Sequence, residues 1–162
     1  MSSFKSFAHF GSKGPFGGSI TCGTTNGTTV FFGTKEGGVY ESTSAALTAW
    51  RARPVGLKSG KITALAHTSY LIAGTADSGV FIFNGFVGSD RYWNKINTGL
   101  SNLSITSLVA IDTISILVGT NGGGLYKTTN KGASWVQISS PSFTNAVISS
   151  LVKAGNRFYL TT

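Results

Sequence analysis

Acidic residues are scarce in this chain: Glu36, Glu41, Asp77, Asp90 and Asp112 are all of them, against 13 Lys plus Arg. Chemistry built on paired carboxylates has little to draw on. The net charge of +8 favours anionic partners such as nucleic acid, acidic polysaccharide or a negative surface. No run of Lys and Arg interleaved with aromatics appears, so there is no specific nucleic-acid motif. Arg51 and Arg53, near Lys58 and Lys61, form the densest basic cluster, and Arg91 precedes Tyr92 and Trp93. Arg51, Arg53 and Arg91 are the candidate ligand-binding residues, toward a glycan or an anionic surface. A single cysteine, Cys22, excludes an internal disulfide and a cysteine-rich metal site, and its apolar neighbours predict a buried thiol. His9 and His67 stand at no ligand spacing from each other or from Cys22, so neither a metal nor a cofactor is expected. Proline is limited to 3 and charged residues to 11%, which argues against long charged helices. No stretch of 18 apolar residues occurs, and residues 1–20 lack an uninterrupted apolar segment; neither a membrane span nor a signal peptide is expected in the chain.

What the chain has instead is glycine, 22 of its 162 residues, together with 11 Phe, 5 Tyr and 3 Trp in a sequence that is 41% hydrophobic. That aromatic content is incompatible with disorder, and the length suits one domain with a sizeable core. The expectation is a packed, turn-rich protein.

Its order is repetitive. Ile20-Thr21-Cys22-Gly23, Ile62-Thr63-Ala64-Leu65, Ile105-Thr106-Ser107-Leu108 and Ile148-Ser149-Ser150-Leu151 begin at intervals of 42, 43 and 43 residues. A second marker follows each start: Gly33-Thr34, Gly74-Thr75, Gly119-Thr120 and Thr161-Thr162. The first three extend without a gap through a glycine to Val39-Tyr40, Val80-Phe81 and Leu125-Tyr126. Tryptophan then recurs as Trp50, Trp93 and Trp135, and Gly56-Leu57 and Gly99-Leu100 each stand six residues before the next start.

Between these markers lie short runs of β-branched and aromatic residues bounded by Gly, Asn and Ser, which is the pattern of strands and turns. In the second unit the strands are expected at 61–67, 70–75, 79–84 and 92–97. No sustained 3.6-residue period appears, and residues 42–50 allow one helical turn at most. Four antiparallel strands every 40 to 50 residues describe one blade of a β-propeller. The expected fold is therefore all-β: a single β-propeller, or a segment of one, over 1–162, with about 3.5 to 4 four-stranded blades in the chain. The units are 20–61, 62–104 and 105–147, with 148–162 and 1–19 as parts of a fourth. Phe31, Phe32, Tyr40, Phe81, Phe83, Tyr126 and the three tryptophans are expected to fill the space between blades.

One hairpin is more specific. Thr128-Thr129-Asn130-Lys131-Gly132-Ala133-Ser134-Trp135 resembles the Asp-box, or bacterial neuraminidase repeat, with Asn in the place of the family's Asp. The resemblance implies a structural turn in which Thr128, Asn130, Gly132, Ser134 and Trp135 staple the blade. It does not imply an active site. The wider unit, best seen in residues 93–108, is similar to propeller repeats of secreted or surface proteins of Bacteroidetes-type bacteria. More distantly it resembles the propellers of sortilin-like receptors, of the photosystem II assembly factor family and of xyloglucan-cleaving glycosidases. What these share is the fold, and so many roles on one fold do not select a function. The surface-protein resemblance implies an extracellular or cell-surface location.

A sialidase would need an arginine cluster, a tyrosine–glutamate nucleophile pair and an acid, and none matches a family motif here. Glu36 and Asp77 occupy equivalent turn positions in two units, which explains them as turn decoration. Gly60-Lys61-Ile62-Thr63 lacks the rest of a phosphate-binding loop, and Gly122-Gly123-Gly124 precedes a strand rather than a helix. No catalytic residue is assigned. The expected function is that of a non-enzymatic binding or scaffold propeller for protein or glycan partners. Residues 1–19 and 148–162 total 34, short of one unit, which leaves three outcomes: a piece of a longer propeller, an imperfect four-bladed ring, or a ring completed by a protein partner or a second copy, the last being expected from the exposed strand edges. The alternatives are a sialidase-like glycoside hydrolase and a purely architectural assembly repeat.

Overall fold

The computed structural model describes residues 19–162 except 37, 44–46, 48, 54–55, 58–59 and 88–89. Among the described residues there is no helix long and apolar enough to cross a membrane. Strands β1 (Ile20–Thr25), β2 (Val30–Thr34), β3 (Val39–Ser42) and β4 (Arg51–Ala52) form the first blade. The second comprises β5 (Ile62–His67), β6 (Leu71–Thr75), β7 (Val80–Val87) and β8 (Asp90–Lys95). The third comprises β9 (Ile105–Ala110), β10 (Ile116–Thr120), β11 (Leu125–Thr128) and β12 (Val136–Gln137). A two-stranded hairpin, β13 (Ser150–Ala154) and β14 (Arg157–Thr161), follows. Each sheet is an antiparallel meander in sequence order. The expected strands 79–84 and 92–97 are displaced, since β7 runs on to Val87 and β8 begins at Asp90, making a longer hairpin with a bulge between Phe83 and Gly85. The expected outer strand within 1–19 lies outside the described residues, except for Ser19.

Strand alternation sends side chains to two faces, and the second and third blades have a neighbour on each. Phe31 and Val39 of the first blade pack against Ile62, Leu65, Ala73, Phe81 and Trp93 of the second. Ala64, Ala66, Ile72 and Ile82 on the other side of the second blade pack against Ile105, Leu108, Val118, Tyr126 and Trp135 of the third. Leu117 and Leu125 then meet Ile148, Leu151 and Leu160 around the hairpin. The same junction is thus built three times.

Its tightest contact explains the Gly-Thr marker. A Cβ on Gly33, Gly74 or Gly119 would come within 2.6, 2.6 and 2.5 Å of Cγ2 of Ile62, Ile105 and Ile148, the first residue of the next unit. Carbon atoms prefer about 3.5–4.0 Å, so only glycine admits the isoleucine. The threonine beside each glycine is fully buried and closes the turn that follows. The Oγ1 of Thr34, Thr75 and Thr120 donates to the carbonyl of Gly38, Gly79 and Gly124 at 3.0, 2.8 and 2.8 Å. Those acceptor glycines have φ of 81°, 82° and 74°, left-handed values that a Cβ resists.

Tryptophan ties the outer strand of one blade to the linker of the one before. The indole N–H of Trp93 donates to the carbonyl of Arg53 at 2.8 Å, and that of Trp135 to the carbonyl of Ile96 at 2.6 Å. Trp50 differs: its indole bonds to Leu47 in its own blade, and its ring lies 5.2 Å from Phe32. Trp50 and Phe32 are half-buried and face each other, on the side of the first blade where the preceding residues lie outside those described.

Candidate functional site

The first two strands of every complete blade carry a β-bulge at the same place. Ile20 pairs with Thr34 and Cys22 with Gly33; Ile62 with Thr75 and Ala64 with Gly74; Ile105 with Thr120 and Ser107 with Gly119. The residue left over is Thr21, Thr63 and Thr106 in turn. A bulge re-aims its extra side chain, and here it directs three hydroxyls to one end of the innermost strands. Thr21 Oγ1 donates to the carbonyl of Ile62 at 2.5 Å, and Thr106 Oγ1 donates to that of Ile148. Thr63 Oγ1 is buried without a partner.

These threonines line a cleft of about 350 Å³ together with Lys61, Ser104 and Asn121. Backbone bonds hold its rim at equivalent positions, Ala76 N–H to Lys61 carbonyl at 3.1 Å and Asn121 N–H to Ser104 carbonyl at 2.9 Å. Asn102 Nδ2 donates to the Asn121 carbonyl at 2.9 Å. The described lining offers hydroxyls, an amide and one ammonium, and no carboxylate. It can donate and accept hydrogen bonds to a polar ligand.

Two of the acidic residues are engaged elsewhere. Glu41 is ion-paired with Arg53. Asp112 accepts from the N–H groups of Ile114 and Ser115 at 2.8 and 2.7 Å, bonds that hold its carboxyl below the usual range. Among the described residues no group of three or more His, Cys, Asp or Glu is placed to hold a metal.

Of the arginines singled out from the sequence, Arg53 lies against the inter-blade junction. Its guanidinium pairs with Glu41 and sits 5.5 Å from the centre of the Phe83 ring, while its carbonyl receives the Trp93 indole. Arg51 is exposed on β4, and Arg91 stands on β8, each the outermost strand of its blade. The structure does not bring Arg51 or Arg53 to the cleft. Cys22 is half-buried behind Gly33, with burial raising its thiol pKa.

In the 128–135 hairpin Asn130 and Thr128 organise the turn. Thr128 Oγ1 donates to Asn130 Oδ1 at 2.7 Å and accepts from Gly132 N–H at 3.0 Å; Asn130 Oδ1 accepts from Ser134 N–H at 3.0 Å. Asn130 Nδ2 donates to Ser134 Oγ at 2.9 Å, and Gly132 has φ of 82°. Trp135 is buried against the second blade. The cleft threonines were missed in the sequence because they read as strand residues. Their signal was the Thr that follows Ile in three of the four starts.

No family model and no curated protein matches the chain. Solved structures do. The computationally designed Ika4 protein is 16% identical with a TM-score of 0.65, over 88% of this chain and 84% of its own. An ancestral GH74 enzyme is 20% identical with a TM-score of 0.65, over 89% of this chain and 22% of its own. The extracellular domain of BT4673 from B. thetaiotaomicron is 18% identical with a TM-score of 0.56, over 88% of this chain and 26% of its own. The chain therefore spans most of the designed protein and about a quarter of the other two. Likeness at this level of identity carries the architecture and nothing of the chemistry. With its row of radially stacked four-stranded meanders, the chain has the β-propeller fold.

Proposed function

We propose that this chain is a non-enzymatic binding propeller, acting outside the cell or at its surface, that presents its axial cleft and the adjoining turns to a glycan or a protein partner. The observation that carries the reading is the makeup of the cleft. Thr21, Thr63, Thr106, Ser104, Asn121 and Lys61 supply hydrogen-bonding groups from three blades, with no acid among the described lining residues. Hydrolysis of a glycosidic bond by the paired-carboxylate route needs two acids across the scissile bond. Glu41 and Asp112, tied to Arg53 and to backbone N–H groups, are poorly suited to that task. The extracellular location is supported by the repeat's resemblance to secreted propellers and by the extracellular domain among its structural neighbours. The resemblance of 128–135 to the Asp-box belongs to the same reading, with Asn130 in the role of the box's aspartate. It assigns that hairpin to blade assembly rather than to ligand.

The test is a printed glycan array followed by titration of any glycan captured, alongside an assay with fluorogenic glycosides that include a sialoside. Capture that weakens in Lys61→Ala and Asn121→Ala, without turnover of the glycosides, is the expected result. Turnover, or capture indifferent to both substitutions, overturns the reading.

A further inference from the structure

The sequence contains Asn26-Gly27, Asn84-Gly85 and Asn121-Gly122, and the fold treats these pairs differently. In an Asn-Gly pair the asparagine side chain is open to attack by the next backbone nitrogen, because glycine brings no Cβ to block the approach. At Asn26 the side-chain oxygen is held by Thr28 N–H at 3.1 Å, Thr28 Oγ1 at 3.1 Å and Thr29 N–H at 2.7 Å, and Gly27 N–H donates to Thr25 Oγ1 at 3.0 Å. Asn84 lies in β7, paired with β8, and its Oδ1 accepts from Asn94 Nδ2 at 3.0 Å. Asn121 is the exception. Its side-chain amide bonds to no described residue, both it and Gly122 are exposed, and a Cβ on Gly122 would meet nothing within 4 Å. The Gly122 N–H reaches back only to the Thr120 carbonyl, at 3.1 Å, in a three-residue turn whose bond is bent from the linear optimum.

We propose that Asn121 is a self-modifying site, at which the cleft exchanges an amide for a carboxylate as the molecule ages. Hydroxide from solvent takes the Gly122 amide proton and becomes water. The nitrogen then attacks Asn121 Cγ: an N–C bond forms, the Cγ–Nδ2 bond breaks, and Nδ2 leaves as ammonia with a proton from water. The product is a cyclic imide, which water opens at either carbonyl to give aspartate or isoaspartate. Nothing is oxidised or reduced. Charge on the intermediate amide anion spreads onto the Asn121 carbonyl oxygen, to which Asn102 Nδ2 already donates at 2.9 Å. Lys61 lines the same cleft, and its ammonium favours both that anion and the carboxylate that follows. Each conversion adds a negative charge to a described lining that holds one ammonium and no carboxylate. The cleft thus keeps its first charge state for a limited time, set by chemistry within the chain.

Peptide mapping by mass spectrometry of the folded full chain, stored at neutral pH over a time series, tests it. The expected result is replacement of NH by O at residue 121, as a mixture of aspartate and isoaspartate. Its rate is about 10-fold above that at Asn26 or Asn84, which must first give up hydrogen bonds. The rate rises with pH, as removal of the Gly122 proton requires. Unfolding in urea abolishes the difference in bonding and brings the three rates together. On cation exchange the aspartate fraction of the aged chain coelutes with Asn121→Asp, a single substitution in an exposed turn. Conversion at Asn121 no faster than at the other two overturns the proposal. So does an excess at Asn121 that persists in urea, which would belong to the local sequence and not to the fold. These measurements need no ligand, whereas glycan capture is measured on fresh chain, so failure of the modification and failure of ligand binding are read separately.

Discussion

Replacing Gly74 with alanine should destabilise the chain, although glycine-to-alanine changes at unstrained positions usually do the opposite. Its backbone needs no positive φ, so alanine by itself would stabilise by about 0.4–1 kcal/mol through the unfolded state. Against that, the added methyl lies 2.6 Å from Cγ2 and 3.2 Å from Cβ of Ile105, with the Ala64 Cβ at 3.7 Å. Ile105 is buried in the middle of the second junction and cannot swing away. Overpacking of this kind costs about 1–3 kcal/mol, so the net loss is about 1–2 kcal/mol. Urea unfolding followed by tryptophan fluorescence suits the measurement, since Trp93 and Trp135 sit in the two junctions flanking the second blade. At a slope of about 2 kcal/mol/M the midpoint falls by roughly 0.5–1 M. The decisive comparison is with Ile105→Ala, which removes Cγ2 and costs about 2–5 kcal/mol by its cavity. In that background Gly74→Ala places its methyl in vacated space and becomes close to neutral, a coupling of about 1–2 kcal/mol. A neutral or stabilising Gly74→Ala in the wild type, or the same cost in both backgrounds, refutes the steric account of the Gly-Thr marker.

Two further outcomes are expected. Trp135→Phe loses the indole bond to the Ile96 carbonyl and costs about 1–2 kcal/mol, lowering Tm by a few degrees. Trp50→Phe, which breaks a bond within its own blade, costs less, and equal losses in two thermal melts refute the staple. Cys22, whose thiol is raised above its ordinary value of 9.0 by burial, is alkylated with a rate midpoint above that value. Because the folded-state pKa is the higher one, its contribution to stability is complete below the unfolded value and is lost as pH rises through the folded value. Cys22→Ser therefore flattens the alkaline limb of the stability profile, and an iodoacetamide rate profile with a midpoint at or below 9.0 contradicts the burial account.

Much of this was legible from spacing. Ile starts 42 and 43 residues apart and glycine before threonine each encode a step that recurs in every complete blade, and tryptophan after the aromatic one that recurs in the second and third, so a one-dimensional pattern maps onto a one-dimensional stack. The candidate site was harder to read. Arg53 looked like a ligand residue because a sequence shows its charge and not its pairing with Glu41 or its place over Phe83. Thr21, Thr63 and Thr106 looked like ordinary strand residues because a bulge is a property of two paired strands, which no single strand displays.

The sequence by itself determined the blade: its length, its four strands, the glycines that let isoleucine in and the threonines that close the turns. These are local or nearest-neighbour requirements, satisfied wherever the repeat recurs. Tertiary structure decided everything that depends on which blade has which neighbour. It buried Ile62, Ile105 and Ile148 under the sheet of the unit before each. It turned three bulged hydroxyls toward a common cleft. It left the Asn121 side chain unbonded while engaging those of Asn26 and Asn84. Identical residues meet different fates because burial and bonding are conferred by the surface packed against them, and the repeat unit does not say whether that surface is there.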